Sequence, residues 1–435
     1  MSKNQNPLLH DLQARQLIAQ TTSVDELDTH LNEQSRTIYC GFDPTADSLH
    51  LGHLVPLIVL ARFQKANHKP IALVGGATGL IGDPSFKLAE RQLNQPDIIT
   101  EWTDKISTQI NQFLDFNCGD NSAIVVNNLD WCSELSALAF LRDVGKHFSV
   151  NSMINKESVQ QRLNREGCGI SFTEFSYALL QGMDFAELNR RYNCTLQVGG
   201  SDQWGNIIGG IELTHRQNKA QTFGLTVPLV TKGDGTKFGK TEDGAVWLDP
   251  TKTSPYSFYQ FWINTSDTDV YKFLRFFTFL NIEHIHSIEE SDATIQGRKS
   301  AQSILAGEVT DLVHGKNGLE SAMRITKALF SGDINSLSEQ DLEQLKLDGL
   351  PTNTIKRADL VGQAMTQVFT SSDMALSGKQ VKDALQRKAI LFNGKTRGMD
   401  DNMNLPECFA AKWALYGRFF LVKIGKKTHH LFEII

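Results

Sequence analysis

The spacing of hydrophobic positions changes several times along the chain, and each change marks an element. Residues 37–42 are a short β-branched and aromatic run that stops at Asp43-Pro44, which predicts a strand and a turn. Residues 51–66 then place Leu54, Leu57, Ile58 and Ala61 at helical spacing. Pro56 fits if the regular helix begins near His53, because proline is tolerated in a first turn. Residues 71–74 predict a second strand, opening into the glycine-rich run from Gly75 to Pro84. Strand, helix and strand at this spacing make a parallel βαβ unit. Helices are predicted over 101–116, 135–148 and 159–165. Ser171-Phe172-Thr173-Glu174 is a capping-box pattern that opens a helix running to about residue 192. Further strands are predicted at 196–198 and 226–231. The first leads into Gly199-Gly200-Ser201-Asp202 and a helix, the second into a loop rich in lysine and glycine.

From 257 to about 330 the pattern is helical and rich in aromatics, which predicts an all-helical second domain. Residues 331–355 are acidic and punctuated by Gly, Ser and Pro, so a linker is expected there. The last 80 residues combine a helix at 378–387 with short strands at 390–392, 419–424 and 430–434, a small α+β module. The expected division is an α/β domain at 1–255 with an insertion at about 129–165, a helical domain at 256–330, a linker at 331–355 and a terminal module at 356–435. No internal repeat is visible.

Composition narrows the class. A chain of 435 residues holds two or three domains, and its 40% hydrophobic content is that of an ordinary globular protein. The longest clean apolar run, residues 54–61, is far short of a bilayer span, and the N-terminus lacks the order of a signal peptide. A cytoplasmic protein is expected. Six cysteines are scattered without a C-x-x-C pair, which argues against a zinc site and a disulfide framework. Net charge is −6, but its distribution is uneven: residues 356–435 hold 13 Lys+Arg against 7 Asp+Glu, and the rest 30 against 42. A basic tail on an acidic body is the footprint expected for a polyanion partner, though a merely solvated charged face has the same composition.

Three patterns carry chemistry. His50 and His53 lie three residues apart at a helix start, where free amides and partial positive charge suit phosphate, and Thr45 adds a hydroxyl. Two surface histidines at a cap would look the same in isolation. Lys237, Lys240 and Thr241 sit in a mobile-looking segment behind Lys232-Gly233-Asp234-Gly235-Thr236. Such a loop can close over a triphosphate and place ammonium groups where charge builds on leaving pyrophosphate. The run at 75–82 lacks G-x-G-x-x-G spacing and ends in Asp83-Pro84, which excludes a dinucleotide fingerprint. Finally, Tyr177, Gln181 and Asp184 form one polar stripe among Phe175, Ala178, Leu179, Leu180 and Phe185. Buried polar groups need partners. Either the stripe is a self-satisfied network, or a ligand with a phenol, an ammonium and a carboxylate completes it.

In order and distance, segments 39–53, 72–86, 171–185, 199–206 and 237–241 resemble bacterial-type tyrosyl-tRNA synthetases, class I enzymes with HIGH and KMSKS signatures. Leu51 stands for the isoleucine of the first signature; Phe238-Gly239 and Thr241 stand for Met-Ser and Ser in the second. The resemblance covers essentially the whole chain, and residues 377–394 resemble an S4-type RNA-binding module. It implies a Rossmann-like parallel-sheet catalytic domain, a helical tRNA- and anticodon-contacting domain and the S4-like tail.

By the same resemblance, Tyr39 and Asp184 bind the substrate phenol. Asp83, Tyr177 and Gln181 hold its ammonium, with Gln203 toward the carboxylate. Gly41, Asp43, Gly200 and Asp202 line adenosine, and His53 lies by the ribose. Thr45, His50, Lys87, Arg91, Lys232, Lys237, Lys240 and Thr241 face the phosphates. ATP is implied as a substrate with Mg²⁺, no protein-held metal, and L-tyrosine, tRNA-Tyr and a second copy of the chain as partners. The attacking group is the amino acid's own carboxylate, so no general base is required. Two rivals remain at this point: a tryptophanyl relative, which should lack the phenol-reading pair and the tail, and an RNA-binding protein that keeps the fold without activity.

Overall fold

A computed structural model describes residues 6–84, 93–164, 169–231, 238–241, 244–295, 300–374, 376–425 and 428–435; at 157, 158, 240 and 241 it describes the backbone alone. The chain forms two compact units, residues 1–248 with 266–301, and residues 249–265 with 302–435.

The first unit is built on a six-stranded sheet. Its strands are β1 (Gln20–Thr21), β2 (Thr37–Phe42), β3 (Lys69–Val74), β4 (Ile124–Asn127), β5 (Cys194–Gly200) and β6 (Phe223–Val227). They lie in the order β1-β6-β5-β2-β3-β4, all parallel except β1, which runs antiparallel to β6. Ile38, Tyr39, Cys40 and Phe42 are buried almost without interruption, as expected for a parallel strand covered on both faces. The order reverses between β2 and β5, which opens a crevice at the carboxyl ends of those strands. The βαβ unit expected from the sequence is present.

The helix Leu51–Lys65 starts earlier than Pro56 led us to expect. Proline here removes the bond to the carbonyl of Gly52, an exposed residue whose oxygen water can serve. The helix Phe172–Tyr192 is capped by the Ser171 side chain on Glu174 N–H and ends at Asn193 in the left-handed region (φ 52°). It crosses the helix Trp204–Asn218 at Gly210, where a Cβ would meet Phe185 at 3.2 Å. Two expectations shift. The helix predicted at 135–148 is broken into Ala137–Ala139, a wide turn at Phe140–Val144 and a tight one at Gly145–His147. The changed winding sets Phe148 over Gly182, where a Cβ would be 2.8 Å from the ring. The strand predicted at 226–231 is instead β6, three residues earlier, because its partner β5 fixes the register at Leu196↔Phe223.

The helices Val270–Phe277 and Ile282–Thr294, expected in a separate helical domain, belong to the first unit. Arg15 donates to the carbonyls of Arg275 (3.2 Å) and Leu280 (2.6 Å), and Arg62 to that of Thr278 (2.5 Å). Asp11 neutralises both arginines, so these buried cations anchor the segment instead of standing unpaired.

After a short hairpin of β7 (Lys240–Thr241) and β8 (Gly244–Ala245), the second unit holds a five-stranded sheet. Its strands are β9 (Thr352–Ile355), β10 (Ile390–Phe392), β11 (Lys395–Arg397), β12 (Phe419–Ile424) and β13 (Thr428–Ile434), in the order β11-β10-β12-β13-β9. Phe369, Phe392, Phe409, Phe420 and Phe432 fill the core beneath the helices Met365–Ser371 and Gly378–Gln386. The stretch expected as a linker is folded. Ser338 caps Glu339–Gln344, Asp341 takes two hydrogen bonds from Arg324, and β9 pairs with β13. Its acidic residues are partners of basic ones: Glu339 and Glu343 both bind Arg418. Among the described residues no helix is long and apolar enough to cross a membrane.

Candidate active site

The crevice between β2 and β5 holds a cavity of about 370 Å³. Tyr39, Gly41 and Asp43 reach it from the end of β2, Thr45 from the following turn, and His50 and His53 from the next helix start. Thr78 and Asp83 come from the loop after β3. Tyr177, Gln181 and Asp184 come from one face of Phe172–Tyr192, and Gly200, Asp202 and Gln203 from the end of β5. Lys87, Arg91, Lys232 and Lys237 lie outside the described residues, and for Lys240 and Thr241 only the backbone is described. That backbone is adjacent to the histidine pair. Leu51 N–H donates to Val246 O (3.0 Å), Val246 N–H to Gly239 O (3.0 Å), and His50 bridges Trp247. Gly239 has φ +77°, and a Cβ there would stand 3.1 Å from Leu51 Cβ.

Asp184 is fully buried and accepts from Trp131 Nε1 (2.9 Å) and Asn128 Nδ2 (3.1 Å). Burial lifts its pKa to about 7, against the pull of those two donors. Tyr39 is 1% exposed, and its hydroxyl has no hydrogen-bond partner among the described residues. Burial, helped by Asp184, holds the phenol neutral, well above its ordinary pKa. A second layer of amides joins the carboxylates: Gln203 Nε2 donates to Asp83 (2.9 Å) and Asp202 (3.1 Å), and Gln181 Nε2 donates to Gln203 Oε1 (3.2 Å). Gln181 Oε1 is itself buried without a partner among the described residues. Burial raises Asp202, with Gln203 working against it. Three carboxylates, Asp43, Asp83 and Asp202, facing one cavity favour a cationic group such as an ammonium.

The histidines form their own capping box. His50 Nδ1 accepts from Gly52 N–H (3.0 Å), and His53 Nδ1 accepts from His50 N–H (3.1 Å). A neutral ring that accepts at Nδ1 carries its proton at Nε2, so each is a donor at that atom. The rings lie 4.0 Å apart, and burial followed by His50 drives His53 well below its ordinary pKa. Gly52 is required by this fold-back, since a Cβ there would be 2.8 Å from His50 Cε1.

Sequence reading missed four residues that line or support the site: Thr78, Asn128, Trp131 and Gln197. Gln197 lines the cavity with an Oε1 that has no partner among the described residues. A lone glutamine inside the apolar run 196–198 was its signal. Asn128 and Trp131 follow β4 and carried no pattern of their own; only the demand of a buried carboxylate for donors pointed to them.

The cavity holds neutral donors, carboxylates and a phenol. Such a site orients and electrostatically steers a reaction between two bound ligands. A parallel sheet with its switch point at β2 and β5, a paired-histidine helix start after β2 and a glycine- and lysine-bearing loop after β6 define a class I aminoacyl-tRNA synthetase core. The family model described as tRNA synthetases class I (W and Y) matches residues 31–331. The chain is 59% identical over 427 residues to the tyrosine–tRNA ligase of Aliivibrio salmonicida (strain LFI1238), covering 98% of each. It is 57% identical over 424 residues to that of Escherichia coli (strain 55989 / EAEC), again covering 98% of each. Among solved structures, a C-terminally truncated mitochondrial tyrosyl-tRNA synthetase of Aspergillus nidulans superposes with a TM-score of 0.68 at 30% identity, over 75% of this chain and 95% of that one. The chain belongs to the bacterial-type tyrosyl-tRNA synthetases.

Proposed function

We propose that the chain activates L-tyrosine with ATP and then charges tRNA-Tyr. In the first step a carboxylate oxygen of tyrosine attacks the α-phosphorus. The bond to the β-phosphate oxygen breaks, and pyrophosphate leaves with the electron pair. In the second, a ribose hydroxyl of the tRNA's terminal adenosine attacks the acyl carbon, AMP leaves and the hydroxyl proton is lost. The observation that carries the reading is the phenol end of the cavity, where the hydroxyl of Tyr39, without a partner among the described residues, and the buried carboxylate of Asp184 await a donor-acceptor group. A hydrogen-bonding site of this kind rejects an analogue that lacks the hydroxyl, because its own polar groups would then stay unpaired.

The residue roles are part of the proposal. Asp83, Tyr177 and Gln181 take the ammonium, and Gln203 orients toward the carboxylate. Gly41, Asp43, Gly200 and Asp202 hold adenosine, with His53 at the ribose. Thr45 and the Nε2 proton of His50 meet the phosphates, joined by Lys87, Arg91, Lys232, Lys237, Lys240 and Thr241. Mg²⁺ arrives with the phosphates of ATP.

Residues 356–435 are proposed as an S4-like tRNA-binding module in a cytoplasmic enzyme. Its support is the basic charge of the tail and the half-exposed Trp413, whose ring lies 3.0 Å from Lys395 Nζ and 5.3 Å from Lys412 Nζ. Exposed Leu138, Leu141, Val150 and Leu163 support a homodimer through the insertion. The test is amino-acid-dependent ATP–pyrophosphate exchange with each of the twenty amino acids. Exchange with tyrosine alone is expected; exchange with tryptophan would overturn the phenol pocket, and none at all would overturn the enzyme.

A further inference from the structure

A chain of hydrogen bonds runs through the wall of the cavity, from Asp184 at the phenol end to Asp43 at the nucleotide end. Asn128, with none of its surface exposed, donates from Nδ2 both to Asp184 Oδ2 (3.1 Å) and to Thr78 Oγ1 (3.0 Å). Its Oδ1 is held by the N–H of Ala77 (2.7 Å). The amide therefore cannot turn without orphaning a buried group. Thr78 accepts from Asn128, so its single proton goes onward, to Asp43 Oδ1 at 2.7 Å. Tyr177 holds the other oxygen, its hydroxyl donating to Asp43 Oδ2 at 2.7 Å. The backbone makes room for this junction: a Cβ on Gly75 would sit 2.1 Å from Asp43 Oδ1 and 2.2 Å from Thr78 Oγ1.

We propose that Thr78, seconded by Asn128, is a positioning residue that couples the amino-acid and nucleotide halves of the site. It acts through Asp43 rather than on the reacting atoms. The proposal rests on the reading above of which half takes which ligand. Two carboxylates share one set of neutral donors, so a ligand that fixes Asp184 also fixes the plane of Asn128, the proton of Thr78 and the rotamer of Asp43. The second ligand meets a carboxylate already ordered and polarised. Because coupling is a free energy, ATP must sharpen the amino-acid half by the same factor.

Tyrosinol has the phenol and the ammonium but no carboxylate to attack phosphorus, so it binds beside ATP without reacting. Its dissociation constant is measured by calorimetry on the full chain, with and without saturating ATP and Mg²⁺. In the native chain the two constants should differ by a factor within roughly 5 to 150. Thr78→Val keeps the shape and deletes the donor, and the ratio should fall to near one. Thr78→Ser should restore it, which a merely structural role for the hydroxyl does not require. Where Thr78→Val fails to fold, Thr78→Ala against Thr78→Ser makes the same comparison. A native ratio of one, or a native-like ratio in the variant lacking the hydroxyl, overturns the coupling. Failure of tyrosinol to bind the native chain at all overturns the assignment of the site, and the coupling with it.

Discussion

Tyr39 and Asp184 are each uncomfortable in the free protein, and the discomfort has opposite consequences for stability and for binding. The Tyr39 hydroxyl is buried with no partner among the described residues, a desolvation cost of about 1–3 kcal/mol. Tyr39→Phe should therefore melt no lower than the native chain, and up to several degrees higher, while its tyrosine affinity drops roughly tenfold. Thermal melts and equilibrium titration read the two signs separately, and a loss of both would make Tyr39 a packing residue only. Asp184, with its pKa lifted to about 7 by burial, predicts a pH dependence. Its folded pKa lies above the unfolded one, so its contribution to stability is full below about pH 4, is lost as pH rises toward 7 and changes no further above. Tyrosine affinity should move the other way, improving through pH 7 as the carboxylate that accepts the phenol proton forms. Asp184→Asn should flatten both profiles and weaken tyrosine binding by roughly 10- to 100-fold, the worth of a charged hydrogen bond. Parallel pH profiles in the native chain and the variant would refute the assignment.

Elements explain why some of this was legible and some was not. Tyr177, Gln181 and Asp184 share a helix face, so their i, i+4, i+7 spacing announced them. The histidine pair was legible for the same reason, and the structure adds why Gly52 lies between them. Asn128, Trp131 and Thr78 were invisible because each serves a carboxylate on a different element, and periodicity reports one element at a time. The helix predicted at 135–148 failed where packing of Phe148 over Gly182 overrode local pattern. The helix start itself yields a test. Gly52→Ala puts a Cβ within 2.8 Å of His50 Cε1, so the ring must swing out and its Nδ1 bond to Gly52 N–H must break. The cost in stability should be near that of losing an N-cap, about 1 kcal/mol. Pyrophosphate exchange should slow more than that implies, with tyrosine affinity kept, because the Nε2 donor leaves the phosphates. Lys240→Ala should show the same split more strongly, with activation slowed by roughly 10²-fold or more. Loss of tyrosine affinity at normal turnover would contradict the role given to either residue.

At the scale of the molecule, charge and chemistry are divided between the units. The described residues that line the cavity all belong to the first unit, which carries the six-stranded sheet, both histidines and the hairpin that follows β6. Sequence divides the second unit among the end of a helical domain, a linker at 331–355 and a tail, because the acidic stretch 331–355 looks unstructured. In fact Ile325, Leu342 and Leu345 share a core with Phe419, Leu421 and Leu431, so sequence-distant halves complete one another. Cutting at residue 356 would open that core and strand β9, so truncation cannot test the tail cleanly. Charge can. Lys395 and Lys412 are exposed and flank Trp413, so reversing them alters the field at little cost to packing. Lys395→Glu with Lys412→Glu should leave pyrophosphate exchange at its native rate, since activation uses no RNA. Charging of tRNA should slow, and the salt dependence of tRNA binding should lose about one unit of slope per phosphate contact removed. The comparison is made over a salt series in the same buffer. Charging that slows only in step with exchange would place the defect in folding, whereas unchanged charging and an unchanged salt slope would remove this face from the tRNA path.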